Sequence, residues 1–461
     1  MASVSGEHSH PVVFTTQTAY PFPSQKFMIP ISWRRYQLSQ LVNKALSLPK
    51  PVPFDFLIRG ELLRGTLAEW CQEKGIGEEE TLEIEYFESV MPPQKMASLP
   101  QEDWVSAVSC QHPGHVVTAS YDGCVRLFDY SQKLLHTSAA HTAPITSLCV
   151  IPSSSTSPDS LLLATASHDL TARLISLSPP SSPEVEVTAD ANSSQRATSQ
   201  TTASLHLHTA PLSSIASDAV GSHLLTASWD SLIGLWDTSV PATDEVPEDA
   251  TDRAARKRRK VDDAASRPRR KAPLTVLKSH TARVSRAVFT PGGSAEAVSC
   301  GLDSTVRCWD VERGLCTNTI TASAKPFLDL ALTHSGTGAL AASSDRTVSL
   351  YDLRGSATSV THAGASLAHP ATPSCLAVAP DAGGGEHQLL TGAYDGAVRL
   401  WDLRSVKAAV ASFKVFEGRA PGEGRKVLGV DWARGVVGVG GEGGVEVWRV
   451  GSGQGERAFP S

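Results

Sequence analysis

The chain has 461 residues, 41 Lys and Arg against 47 Asp and Glu, and a formal net charge of −6. That balance excludes a uniformly basic nucleic-acid binder, and no apolar run approaches the eighteen residues of a membrane-spanning helix. Eight cysteines without a CxxC pair fit reduced, mostly buried thiols of an intracellular protein, and their spacing is not that of a zinc site.

Residues 1–10 read as a flexible N-terminus, and MASVSGEHSHPVV shows no basic stretch leading into an apolar core, so no secretory signal is expected. Residues 11–90 form a first unit. Val12–Thr16 and Lys26–Ile31 read as strands. Leu38, Leu41, Val42, Ala45 and Leu46 then recur at helical spacing. Phe54–Ile58 and Leu82–Tyr86 alternate as two more strands, with a short connection between them. Strand, strand, helix, strand, connection, strand resembles the ubiquitin-like β-grasp. The segment ends ESVMPPQ without a processable Gly-Gly, so a covalent modifier is not expected.

From about residue 100 one pattern recurs: small residues, an Asp, then a β-rich run ending on an aromatic residue. Copies include TASYDGCVRLFD at 118–129, TASWDSLIGLWD at 226–237, SCGLDSTVRCWD at 299–310 and GAYDGAVRLWD at 392–402. The Asp falls at 122, 169, 230, 303, 345 and 395, with Glu442 in register in a seventh, weaker copy. Asp-Gly or Asp-Ser at 122, 230, 303 and 395 is a tight-turn signal before the run. His141, His208, His280 and His369 each lead a further strand upstream. A unit of this size cannot bury its own faces, so the copies must pack on one another.

These copies resemble WD repeats, and seven of them over 101–450 resemble a seven-bladed β-propeller. The expected fold is therefore mainly β: this propeller behind a small α+β ubiquitin-like domain. The resemblance implies a structural hydrogen-bonded set in each blade: His208, Ser228, Asp230 and Trp236 in full, His280, Asp303 and Trp309 in the fourth copy, Asp395 and Trp401 in the sixth. A Ser-His-Asp triad occurs once per active site, whereas this set recurs per blade, so no catalytic site, cofactor or metal of its own is expected. The glycine-rich stretch 435–444 lacks GxxxxGK[ST] and reads as turns. The last copy ends eleven residues before the C-terminus, so the linker 91–100 is expected to supply the missing outer strand and close the ring, with 451–461 as a tail.

Two intervals between copies are long. Residues 178–203 are Ser/Thr/Pro-rich and read as a disordered insert. Residues 238–273 read as a second; it begins acidic and turns basic, and the window Arg253–Lys271 carries +8, leaving −14 on the rest of the chain. Arg256, Lys257, Arg258, Arg259 and Lys260, then Arg267, Arg269, Arg270 and Lys271, resemble a bipartite nuclear-import signal, with rRNA phosphate contact as the second reading.

A ubiquitin-like domain ahead of a propeller resembles two eukaryotic ribosome-assembly families. PVPFDFLIRGELLRG (51–65), TLEIEY (81–86), MPPQ (91–94), EDWVSAV (102–108) and the count of seven match the WD-repeat member of the pescadillo and block-of-proliferation complex rather than the eight-bladed Notchless-like proteins. The resemblance implies a nuclear, nucleolar and nucleoplasmic scaffold of large-subunit precursors, with no membrane contact. Its propeller would bind a block-of-proliferation-type protein beside a pescadillo-type one. It also implies that the AAA ATPase midasin grips the ubiquitin-like domain, with Glu79, flanked by Glu78 and Glu80, reaching a Mg²⁺ that midasin holds, and that its pulling releases the protein from pre-ribosomal particles. The alternative is a WD-repeat substrate receptor of a ubiquitin ligase, for which no adaptor-binding motif is apparent.

Overall fold

The computed structural model describes residues 8–18, 20–23, 25–48, 50–77, 79–89, 91–152, 160–179, 197–247, 268–321, 325–354, 365–380, 387–418 and 424–451. The N-terminal unit comprises β1 (Ser9–Thr15), β2 (Lys26–Pro30), α1 (Arg35–Leu46), β3 (Phe54–Ile58), β4 (Glu61–Leu62), α2 (Leu67–Lys74) and β5 (Leu82–Glu88). Its sheet runs β2-β1-β5-β3-β4 with β1 and β5 parallel, the β-grasp arrangement. The helical spacing of α1 puts Leu38 and Val42 against Phe14, Phe54, Ile84 and Tyr86 in one core. Asp55 inside β3 is buried but pairs with Arg35 of α1 at 2.7 Å, so its charge is compensated.

Two expectations for this unit need correction. The short connection after β3 holds the hairpin partner β4 and the helix α2, whose signal is the capping box Thr66-x-x-Glu69: Thr66 Oγ1 accepts from Glu69 N at 3.1 Å and Glu69 accepts from Thr66 N at 3.0 Å. The N-terminus is ordered from earlier than residue 11, because Ser9 and His10 pair with Pro30 and Ile29 in the first hairpin.

The repeat region forms seven sheets, each with four antiparallel strands, whose inner strands begin at Val105, Ile145, Leu212, Val284, Phe327, Pro373 and Val427. Their cores lie between neighbouring blades, as when Trp236 of blade three is buried with Ala164 and Leu174 of blade two. A hydroxyl near the start of five inner strands donates to the carbonyl that begins the next blade: Ser106 to Ile145, Ser213 to Val284, Ser285 to Phe327 and Ser374 to Val427, each at 2.6 Å, and Thr146 to Leu212 at 3.0 Å. Blades five and seven carry Leu328 and Leu428 there. In their place Asp329 accepts from Leu376 N and Asp431 from Cys110 N, both at 2.7 Å. Every blade is thus tied to the next around a central channel of about 510 Å³.

Blade seven takes its outer strand from the segment that follows the ubiquitin-like unit. This strand, β6 (Gln94–Leu99), pairs antiparallel with Gly444–Arg449. Its Ala97 and Leu99 join Val105, Val108, Val436 and Val447 in the core between blades seven and one.

Both expected disordered inserts are shorter than their sequence limits. Thr198–His206 is the outer strand of blade two, built on a Ser/Thr-rich stretch whose backbone pairs with Thr171–Ser178. Arg269–Lys271 is a fifth strand of that blade, parallel to Ala203–Leu205. Main-chain pairing at a sheet edge, which side-chain patterning does not report, decided both.

Candidate functional site

The recurring polar sets are buried ties within blades. In blade three the Trp236 indole donates to Thr226 Oγ1 at 2.9 Å, and Thr226 Oγ1 lies 2.8 Å from His208 Nε2. His208 Nδ1 meets Asp230 at 3.0 Å. The chain thus runs from the indole through the Thr226 hydroxyl and the His208 ring to the Asp230 carboxylate. The hydroxyl in this chain is Thr226, not Ser228 as the family pattern implied. Ser228 sits at the turn and donates to the Ala210 and Pro211 carbonyls at 3.0 Å each. The ring is fixed at the turn by Asp230, so its other nitrogen points along the strand to the residue two positions earlier.

Blade four repeats the arrangement with His280, Ser299, Asp303 and Trp309, and blade two with His141, Thr165 and Asp169, Ile175 standing for the Trp. Burial would raise the Asp169 carboxyl, but the hydrogen bonds and charge of His141 hold it at about 2. Blade six departs from the pattern. His369 bonds Thr391 at 2.8 Å, as Trp401 does at 3.1 Å, but its Nδ1 faces the Leu367 carbonyl and Asp395 pairs with Arg399. Burial, with no carboxylate hydrogen bond to offset it, lowers His369 to about 4. Of these sets, the blade-two one borders a pocket of about 260 Å³, which Asp169 lines with Thr171, Arg173 and Arg270. Among the described residues no group of three or more His, Cys, Asp or Glu is placed to hold a metal.

The same turns build a surface that sequence reading missed. In blades one to six the residue before the turn Asp donates its N–H to the residue that leads the inner strand: Tyr121 to Trp104 at 2.8 Å, Trp229 to Pro211 at 3.0 Å, Leu302 to Arg283 at 2.8 Å, Tyr394 to Thr372 at 3.1 Å. These residues share one rim of the ring. Trp104 and Tyr394 are each 44% exposed, Trp229 and Leu302 each 38%. Trp104 lies 5.8 Å from Tyr121, His168 5.3 Å from Trp229, and the Arg283 guanidinium 4.3 Å above the Trp229 ring. Exposed Trp, Tyr and Arg held by rigid turns are the composition of a protein-contact surface. The signal was present in SYD, SWD, GLD and AYD, one position from the residue that drew attention.

Glu79 and Glu80 are exposed in the loop ahead of β5, and Glu78 lies outside the described residues. Glu80 is committed to an ion pair with Arg59, whereas Glu79 shows no hydrogen bond or ion pair among the described residues. Arg59 and Gly60, at φ +51° and +76°, form the tight turn between β3 and β4, and left-handed backbone there favours glycine.

The basic window divides. Arg256, Lys257, Arg258, Arg259, Lys260 and Arg267 lie outside the described residues. Arg269 is exposed, but Arg270 is 8% and Lys271 3% exposed. The acidic start of the insert holds this strand: Asp244 accepts from Arg270 N and Glu245 from Ala272 N, both at 2.9 Å, and Lys271 reaches Ser239 and Asp237. The expectation of two free clusters therefore fails for Arg270 and Lys271, which acidic neighbours and a sheet edge withdraw from solvent.

The ubiquitin-like unit contacts blade six at the end of the ring opposite the aromatic rim, where Leu403–Val410 joins the third strand to the outer one. Arg404 forks onto the buried Asp402 at 3.0 and 2.7 Å, reaches Glu85 at 3.1 Å, and stacks 4.4 Å from the Phe87 ring. Lys407 pairs with Glu61, whose carboxyl is lowered first by that hydrogen bond and then by Lys74. A Cβ on Gly60 would sit 3.3 Å from the Arg404 carbonyl.

Residues 11–71 match the NLE (NUC135) domain, and 94–129, 132–176, 199–237, 271–310 and 364–402 match the WD domain, G-beta repeat. The chain is 59% identical over 450 residues to ribosome biogenesis protein YTM1 of Laccaria bicolor, covering 97% of this chain and 96% of that protein. The protein of the same name from Coprinopsis cinerea is 56% identical over 95% of this chain and 94% of its own. That of Saccharomyces cerevisiae is 33% identical over 88% of each.

Proposed function

This chain belongs to the YTM1 family of ribosome biogenesis proteins, and we propose that it serves ribosome assembly as a non-catalytic scaffold with two separate protein-binding sites. The aromatic rim of the propeller takes a block-of-proliferation-type WD-repeat protein, within an assembly that includes a pescadillo-type protein, on large-subunit precursors. The ubiquitin-like domain presents Glu79 to the AAA ATPase midasin, as a carboxylate ligand for a Mg²⁺ that midasin holds. Hard oxygen donors suit that ion, and a loop carboxylate without an internal partner is available to give one. Arg256–Lys260 directs the protein to the nucleus, nucleolus and nucleoplasm, where the precursors form.

The observation that supports this reading best is the separation of the two surfaces. The rim lies at one end of the blades and the ubiquitin-like domain docks on blade six at the other, so a partner on the rim and one on the domain can be held together. The test is affinity purification from cells with precursor rRNA as the readout. Trp229→Ala with Tyr394→Ala is expected to lose the propeller partner and the precursor. Glu79→Asp is expected to keep both and to accumulate on precursor particles, because the shorter side chain no longer reaches the metal. Recovery of cullin-type subunits in place of precursor rRNA would favour the ubiquitin-ligase receptor instead.

A further inference from the structure

We infer that β6 is a load-sensitive clasp: tension on the ubiquitin-like domain first breaks its contact with blade six, then strips β6 from blade seven and opens the ring. The source of tension in the cell rests on the midasin reading above, whereas the response of the strand to load does not.

The chain path creates the coupling. β5 ends at Glu88 and β6 begins at Gln94, so five residues join the domain to the strand that closes the propeller. Fully extended they span about 18 Å, and Pro92 and Pro93 stiffen them, so little displacement is absorbed before β6 is loaded.

The two ends of this connection differ in strength. β5 lies inside its sheet, parallel to β1 on one side and antiparallel to β3 on the other. A pull between the start of β1 and the end of β5 shears those parallel bonds together. β6 is an edge strand with one neighbour; the chain ahead of it is held by one bond, Met91 N–H to the Gly451 carbonyl at 3.0 Å, before Gln94 is loaded, and its pairing is already irregular between Trp448 and Val447. Edge elements with few partners open at the lowest cost. The blade-six contact, with Arg404 on Glu85 and Phe87 and Lys407 on Glu61, bridges the two bodies in parallel with the linker and so carries the first load.

Loss of β6 would not stay local. Lys95 pairs with Glu446 at 2.6 Å, and Glu446 is 3% exposed and also accepts from Phe416 N of the preceding connection and from the Trp448 indole, both at 3.1 Å. Removing Lys95 leaves that carboxylate buried without a cation, a costly state. Removing Ala97 and Leu99 uncovers the core between blades seven and one. The Asp431 tie to Cys110 that closes the inner ring then loses the packing around it. A scaffold that opens when pulled releases what its rim holds without unfolding throughout.

Optical tweezers test this, with handles on a tag before residue 8 and on a second tag between residues 248 and 267 of the full chain. The expected trace shows a small early event, then an extension of roughly 2 nm as the six residues of β6 come free, before larger transitions. Arg404→Ala should remove the early event and leave the second. The pair Ala97→Cys with Val447→Cys, facing residues in β6 and its neighbour, should abolish the second when oxidised and restore it when reduced. Unravelling of the ubiquitin-like domain first, single-step loss of the whole propeller, or indifference to the staple would each overturn the clasp. Because the instrument supplies the force, such a result leaves the Glu79 assignment standing, and normal release of Glu79→Asp in cells would do the reverse.

Discussion

The Thr226 hydroxyl is held between the Trp236 indole and His208 Nε2, and those neighbours say what its loss would do. Thr226→Val strands His208 Nε2 and the Trp236 indole in a dry blade, so a loss of about 2–3 kcal/mol is expected, against about 1 kcal/mol for Ser228→Ala. Urea denaturation midpoints of the two variants check the order. His369 gives a pH dependence with a definite sign. Its pKa is about 4 when folded, against about 6.5 unfolded, so between those values the unfolded chain binds more protons. Stability is complete above about pH 6.5 and falls as pH drops towards 4, by up to about 3 kcal/mol. His369→Gln should flatten the thermal midpoint over that window; an unchanged slope would refute the assignment. Asp169 acts lower, its contribution being lost only between about pH 3.8 and 2.

At the scale of elements, local chemistry explained some and left others open. The alternation in Phe54–Ile58 and Leu82–Tyr86 and the helical spacing from Leu38 to Leu46 became β3, β5 and α1; β5 and α1 bury one face in the shared core, while β3 is buried on both. The capping box of α2 was legible at Thr66 and Glu69 but lay between stronger signals. The strand Arg269–Lys271 was not legible at all: three basic residues carry no strand preference, and the free edge of blade two together with Asp244 and Glu245 makes them one. Asp244→Ala with Glu245→Ala should loosen it. Limited trypsin treatment is expected to cut after 269–271 several-fold faster than in the parent, with the rest of the ring intact. Equal rates would show that the acidic arm does not hold the strand.

The whole molecule is two units with a shared seam. A chain beginning at residue 90 keeps β6, and a chain beginning at residue 100 leaves blade seven without its outer strand. The shorter chain should melt at least roughly 5 °C below the longer one in calorimetry, since Ala97, Leu99 and the Lys95 pair all go. Equal melting would mean that the ring closes without β6. The bridge itself is an assembly property. The rim of Trp104, Trp229 and Tyr394 exists because seven turns face one way, and the domain docks at the other end through Arg404.

The sequence by itself determined the repeat, the number of blades, the small α+β unit ahead of them and the His, Asp and Trp positions of the sets in blades three and four, because periodicity and turn chemistry are local and each copy restates them. It also placed Glu79 in its exposed loop, since three adjacent Glu do not enter a core. The tertiary structure alone decided that Glu80 is spent on Arg59, that Thr226 rather than Ser228 joins His208, and that Arg270 and Lys271 are buried. It alone gathered single residues of separate turns into one aromatic rim. Each of these depends on which chains lie side by side, and distance in space between residues far apart in sequence is settled only when the ring closes.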